Sequence, residues 1–228
     1  MKHAWYEGLG PLWLSLEVAF LTTVILMLIA TPLAYWLSFT KSRFKPLAEV
    51  IIALPLVLPP TVLGFYLLIA FRPRGVIGSA WESLTGGSLL FSFSGVIVAS
   101  VIYSLPFVVQ PLHNTFSSVG KRPLEKAYTM GLSKMSAVIK ILIPLSKRGY
   151  LTAAVLGFAH TLGEFGVVLM VGGNIPNETR VVSIAIYDLV EAAKYEKAHA
   201  FSGILLIFSF FLLLLIYTTH QRHSNRGR

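Results

Sequence analysis

The sequence predicts an all-α, polytopic membrane protein of about five transmembrane helices, with a sixth segment as the variant reading, and three observations carry that prediction. Charged residues make up only 13% of the 228, against 55% hydrophobic, and the mean hydropathy is +0.71; a soluble fold of this length could not cover its surface with so few polar groups. Uncharged windows long enough for a bilayer recur along the chain. Between those windows the basic residues fall in clusters, so the net charge of +9 reads as topology. A nucleic-acid face would need Lys and Arg gathered on one folded soluble surface. The chain has no cysteine, which excludes disulfides, thiolate metal sites and cysteine nucleophiles.

The first window, Val18 to Thr40, holds 23 uncharged residues and predicts a span. It is too long for the core of a cleaved signal peptide, and Lys2 is followed by Glu7 and Glu17 rather than by more basic residues, so the helix is expected to be retained. Trp5, Trp13 and Trp36 sit near its expected interfaces. The second window, Val50 to Phe71, contains Pro55, Pro59 and Pro60 and predicts a kinked span. Ser83 to Gly120 is uncharged for 38 residues, too few for two spans and a turn. With Thr85-Gly86-Gly87-Ser88 as a loop, it yields one helix from about Leu89 to Val109. The fourth span is Gly149 to Val171, interrupted by Glu164, and the fifth is Ala198 to Tyr217. Val181 to Lys194 places Val182, Ile186, Leu189 and Ala193 at helical spacing and is too short and charged to cross. It is read as an amphipathic helix on the membrane surface or between subunits, or as the sixth segment.

Five spans put the Lys41–Glu49 loop, the His113–Arg148 loop and the C-terminal tail on one side. Those segments carry 13 of the 19 Lys and Arg residues and only Glu49 and Glu125 among the acids, so that side is expected to be cytoplasmic and the N-terminus outside. Seven of the basic residues lie between His113 and Arg148. Within this loop Pro123 can open a short helix with Glu125 in its first turn, and Gly131 can close it in a left-handed turn. Ser133 can cap a second helix that ends at Pro144. A helix, glycine turn and helix suits docking of a soluble partner; on charge alone the loop would equally suit anionic lipid.

The spacing Glu125-Lys126-Ala127, Gly131, Ile141-Leu142-Ile143-Pro144 resembles the EAA loop of ABC importer permeases, E-A-A, x3, G, x9, I-x-L-P, with Lys126 and Ile143 as departures. The resemblance extends to Leu54–Gly64, similar to the proline-rich second helix of molybdate and sulfate permeases, and to Leu162-Gly163-Glu164-Phe165-Gly166, Asn174-Ile175-Pro176, Thr179-Arg180 and Ile186-Tyr187, similar to the molybdate branch. His160 stands where that family commonly carries Arg. The resemblance implies the type I ABC importer permease fold over residues 12–219 within a single transmembrane domain, 1–228. It implies that the loop, residues 113–148, docks a separate ATPase through Glu125, Lys126, Ala127, Gly131, Ile141 and Pro144. It further implies a homodimer in the bilayer of a prokaryotic inner membrane, two ATPase subunits that hold ATP and Mg, an external oxyanion-binding protein, and molybdate carried by alternating access. Sulfate, thiosulfate and tungstate are the alternatives. No cofactor and no nucleic acid is expected on this chain, and it is not expected to be an enzyme. A Walker A loop needs G-x-x-x-x-G-K-[ST], and Gly120-Lys121 is followed by Arg122 and lacks the earlier glycine.

Ionisable groups inside a membrane are candidates for function. His160 and Glu164 are one helical turn apart and would share a face. They could form a proton-relay or catalytic pair, as in an intramembrane hydrolase; a metal pair, which would need further ligands; or a hydrogen-bonded pair that fixes packing, the reading an anionic cargo favours. Pro59 and Pro60 can free carbonyls toward a cavity or supply a hinge. Thr61, Ser104 and Asn114 are polar groups that could face a pathway or pack helices.

Overall fold

A computed structural model describes residues 3–224. Lys2, Arg226 and Arg228 of the charge count lie outside the described residues, as do the side chains of Trp5, Glu7 and Arg222. In chain order the helices are α1 (His3–Phe39), α2 (Lys45–Val57), α3 (Pro60–Phe71), α4 (Val76–Thr85), α5 (Phe93–Val119), α6 (Arg122–Thr129), α7 (Lys134–Ala137), a π-helical turn (Val138–Leu142), α8 (Ile143–Leu145), α9 (Lys147–Gly163), α10 (Gly166–Gly172), α11 (Val182–Glu191) and α12 (Tyr195–Ser224). Among the described residues, three segments are long and apolar enough to cross a membrane: Leu9–Phe39, Phe93–Val119 and Tyr195–Leu214. The pairs α2/α3 and α9/α10 pass the same test together, which brings the total to five if each pair is one span. At ten residues, α11 is about 15 Å long and cannot span a core of about 30 Å, so it is no sixth crossing.

The second span is broken outright: α2 and α3 meet at 113°. A residue before proline is driven out of the helical region by the ring that follows it. Leu58 and Pro59 both precede a proline, and both are extended, with ψ of 134° and 138°. Single prolines did not have this effect. Pro55, Pro106 and Pro111 lie inside helices that continue past them.

The third span begins later and ends later than expected. Ser92 fixes its start by accepting a hydrogen bond from the Gly95 amide, and the helix runs through His113 to Val119, where Gly120 leaves it at φ 71°. The polar loop is accordingly shorter than 113–148. Ahead of this span, Val76–Thr85 forms a short helix that no uncharged window indicates, closed by Gly86 in the left-handed region.

Pro144 does not end the second loop helix. A proline in a helix crowds the carbonyl four residues back and removes its donor, and here the preceding turn widens instead: the Ile143 amide bonds to the Val138 carbonyl, five residues back. The chain turns only at Ser146, and α9 follows at once.

α5 is the central post, packed on α1, α9, α10 and α2. One apolar cluster ties the loop to the bundle: Leu124, Ala127, Ala137 and Leu142 from the loop meet Ala34 and Leu37 of α1, Ile52 of α2, Leu112 and Phe116 of α5 and Ala153 of α9. Small residues let helices close in. A Cβ on Gly149 would meet Thr115 Oγ1 at 2.1 Å, and one on Gly157 would meet Val108 Cγ2 at 2.5 Å. α11 packs against α12 and α1 rather than lying free on the surface, burying Val182, Ile184 and Ala185, and its Val182 amide donates to Ser15 Oγ of α1 at 2.7 Å.

Candidate functional site

Two regions collect the residues singled out from the sequence: the loop α6–α8 and the layer where α5 meets the α9/α10 junction. In the loop, Pro123 lies in the first turn of α6 with Glu125. Gly131 has φ 83°, and the helix closes around it with two bonds, Leu132 amide to Ala127 carbonyl and Gly131 amide to Tyr128 carbonyl, both 3.0 Å. This is the Schellman arrangement, which requires the left-handed conformation that glycine adopts without cost. Ser133 caps α7 by accepting from the Ser136 amide.

The named loop residues divide by burial. Ala127 is buried, and Ile141 packs against the same cluster. Glu125, Lys126, Gly131 and Pro144 are exposed. The sequence reading missed a second feature: Met130 (78% exposed), Met135 (70%) and Ile139 (55%) stand out from the loop around the glycine turn. Exposed apolar side chains rimmed by Lys and Glu mark a protein-contact surface, and methionine adapts readily to a partner. The available signal was a pair of methionines flanking the glycine of a basic loop.

In the membrane layer, α9 ends at Gly163 and α10 starts at Gly166, bent by 62°. Glu164 is extended, with φ −69° and ψ 139°, so the chain leaves the helix at this residue. No hydrogen bond or ion pair joins it to His160, so the hydrogen-bonded pair expected from the sequence is not formed. Nor do any three His, Asp or Glu residues among the described residues converge as metal ligands. The break frees the Glu164 carbonyl, and Ser183 Oγ donates to it at 2.5 Å. The Glu164 side chain is 5% exposed, and its carboxyl forms no close hydrogen bond among the described residues. Ser100 Oγ of α5, also buried, is the polar side chain beside that carboxyl.

His160 turns instead to α5. Its Nδ1 lies 2.9 Å from Ser104 Oγ, which lies 2.9 Å from Thr161 Oγ1. The imidazole stacks on Phe107, with centroids 3.7 Å apart, and leans on Tyr103 at 4.8 Å. Tyr103, Phe107, Gln110 and Asn114 recur every three or four residues along α5 and are open or half-open. Hydrocarbon does not tolerate amides and phenols on a lipid-facing helix surface, so this stripe has to face protein or a water-filled cavity. By contrast α12 is exposed through Ile204, Leu206, Ile207, Phe210, Phe211, Leu213 and Leu214, a surface made for lipid. A cavity of about 280 Å³ opens at the loop end of the stripe, with Gln110, Asn114, His113 and Glu49 on its wall. Thr61 is exposed in the first turn of α3, after Pro59 and Pro60.

A family model described as "Binding-protein-dependent transport system inner membrane component" matches residues 18–228. The molybdenum transport system permease protein ModB of Azotobacter vinelandii is 52% identical over 215 residues, 94% of this chain and 95% of that protein. Among solved structures, the inward-facing MetNI methionine ABC transporter has a TM-score of 0.72 at 15% identity, covering 97% of this chain and 98% of its counterpart. A chain of a bacterial alginate ABC transporter, solved with an alginate pentasaccharide-bound periplasmic protein, scores 0.72 at 15% identity over 95% of this chain and 79% of its own. At such identities the likeness is one of fold.

Proposed function

The chain belongs to the family of binding-protein-dependent transport system inner membrane components, and on that premise we propose that it is the permease subunit of an ATP-driven importer of molybdate. The observation that carries the cargo is the 52% identity, over 94% of this chain, with a molybdenum transport permease.

The rest of the assembly follows as inference. The open polar stripe on α5 needs a cover, and a second copy of the chain supplies one with a pathway between the two. The loop between α5 and α9, residues 120–146, docks an ABC ATPase, with Glu125, Lys126, Gly131 and Pro144 on the exposed side beside Met130 and Met135, and Ala127 and Ile141 holding the loop to the bundle. ATP and Mg bind to that partner, and this chain catalyses nothing. An external binding protein delivers the oxyanion, with the basic loops and the C-terminus cytoplasmic and the N-terminus outside, across a prokaryotic inner membrane. Because the loop shares one apolar cluster with α1, α2, α5 and α9, a shift of the loop on ATP binding reaches the helices around the cavity directly.

The test is uptake of labelled molybdate by cells carrying the chain and its transport partners, challenged with excess sulfate or tungstate. Uptake is expected to require this chain and to resist sulfate. Undiminished uptake after deletion of the chain sinks the proposal, and competition by sulfate reassigns the cargo.

A further inference from the structure

The hydrogen bonds around His160 form a series whose direction can be worked out by counting protons. Thr161 Oγ1 donates to the Gly157 carbonyl at 2.9 Å, an oxygen that can only accept. A hydroxyl has one proton, and Thr161 has spent its own. The contact between Ser104 Oγ and Thr161 Oγ1 at 2.9 Å therefore uses the Ser104 proton. The contact between His160 Nδ1 and Ser104 Oγ at 2.9 Å must then use a proton on Nδ1. The imidazole is held with Nδ1–H, and Nε2 is the free nitrogen. Nε2 has no hydrogen-bond partner among the described residues and is not sealed from solvent; the half-open ring lies on Phe107 and Tyr103, members of the stripe on α5.

A neutral ring in this tautomer turns a lone pair toward whatever approaches, and a lone pair repels an oxyanion. The imidazolium turns an N–H and a positive charge the same way. Two aromatic faces already lie against the ring, and such faces attract a cation. Resting on the importer reading above, we propose that His160 is a substrate-contacting residue of the pathway: held at Nδ1 by Ser104, it takes a proton from water at Nε2 and donates that N–H to the tetrahedral oxyanion. When the anion leaves, the proton returns to water, so no proton is carried across in fixed ratio.

Few other charges face the ring. From α5, Tyr103 lies against it; Glu164, at the end of α9 itself, keeps its carboxyl buried. α1 offers Tyr35, which is directed to Tyr128 at the loop end. α12 meets α9 through Phe208 on Phe158 and has no titratable residue from Gly203 to Ile216.

The test uses the whole transporter in proteoliposomes, with molybdate uptake followed from about pH 6 to about pH 8. Because the free ring is neutral and each bound anion brings one proton to Nε2, the wild-type apparent KM is expected to rise with pH. In His160→Asn the amide replaces Nδ1 toward Ser104 but nothing replaces Nε2, and the apparent KM is expected to rise about tenfold, as for loss of one charged hydrogen bond. His160→Arg stays charged and stacks on the same rings, so its KM is expected to lose the pH dependence. An Asn variant with the wild-type KM and pH profile overturns the proposal. So does an Arg variant whose KM climbs with pH as the wild type's does, a comparison that stands even if the Asn variant fails to assemble. Wild-type vesicles that take up no molybdate overturn the importer reading itself, and this proposal with it.

Discussion

Gly166, the first residue of α10, lies directly against Pro60, the first residue of α3: a Cβ on Gly166 would stand 2.8 Å from Pro60 Cβ. One turn on, a Cβ on Gly64 would stand 2.9 Å from Met170 Cβ. The two broken spans thus meet at their breaks, and α3 and α10 pack closely as a pair. Gly166→Ala overpacks this contact and is expected to cost about 1–3 kcal/mol. Removing the opposing Cβ with Pro60→Gly should return about 1 kcal/mol of that in the double variant, read as a coupling energy in thermal unfolding in detergent. Strictly additive effects would show that the breaks do not bear on each other.

Gly131 sits at φ 83° with no atom near enough to obstruct a side chain. Strain of the backbone alone therefore sets the effect of substitution. Gly131→Val is expected to cost the loop about 1–2 kcal/mol and to reduce both co-purification of the ATPase and uptake. Gly131→Asn, which tolerates the left-handed region, should remain close to wild type. Equal losses for Val and Asn would mean that the side chain, rather than the turn, is at fault.

What could be read from the sequence was local, and what could not was relational. Gly131 and Ser133 announced their turn and cap because both depend on the residue's own backbone and its near neighbours. The spans followed from charge-free length. Pro59-Pro60 announced a kink, but a break needed the further step that two adjacent residues each precede a proline. The α9/α10 break has no proline, and Gly163 and Gly166 are each tolerated inside membrane helices, so Glu164 was read as helical and was paired with His160. Pro144 was read as a terminator because a π-helical turn that accommodates it leaves no mark in composition. The partner of His160 is Ser104, 56 positions away, and only the packing of α9 on α5 brings the two together.

The methionines of the loop allow a test separate from its fold. Met130 and Met135 are exposed and support no part of the apolar cluster, so changing them should leave the permease stable. Met130→Glu together with Met135→Glu is expected to weaken binding of the ATPase by about 2 kcal/mol, roughly 30-fold in Kd, measured by titrating purified ATPase onto permease in nanodiscs. An unchanged Kd would remove these residues from the docking surface.

Glu164 makes the opposite prediction, that a buried ionisable group can be neutralised without loss. Its carboxyl has only the Ser100 hydroxyl beside it among the described residues, while its backbone carbonyl is held by Ser183. The anchoring of the break therefore resides in the main chain, which Glu164→Gln leaves untouched. A charge at this depth would be unpaired in a low-dielectric layer and would repel an oxyanion passing α5. Glu164→Gln is accordingly expected to keep wild-type uptake and equal or higher thermal stability, whereas Ser183→Ala, which strands the freed carbonyl, should cost about 1–3 kcal/mol. Abolished uptake in a stable, assembled Glu164→Gln variant would show instead that the carboxyl acts in transport.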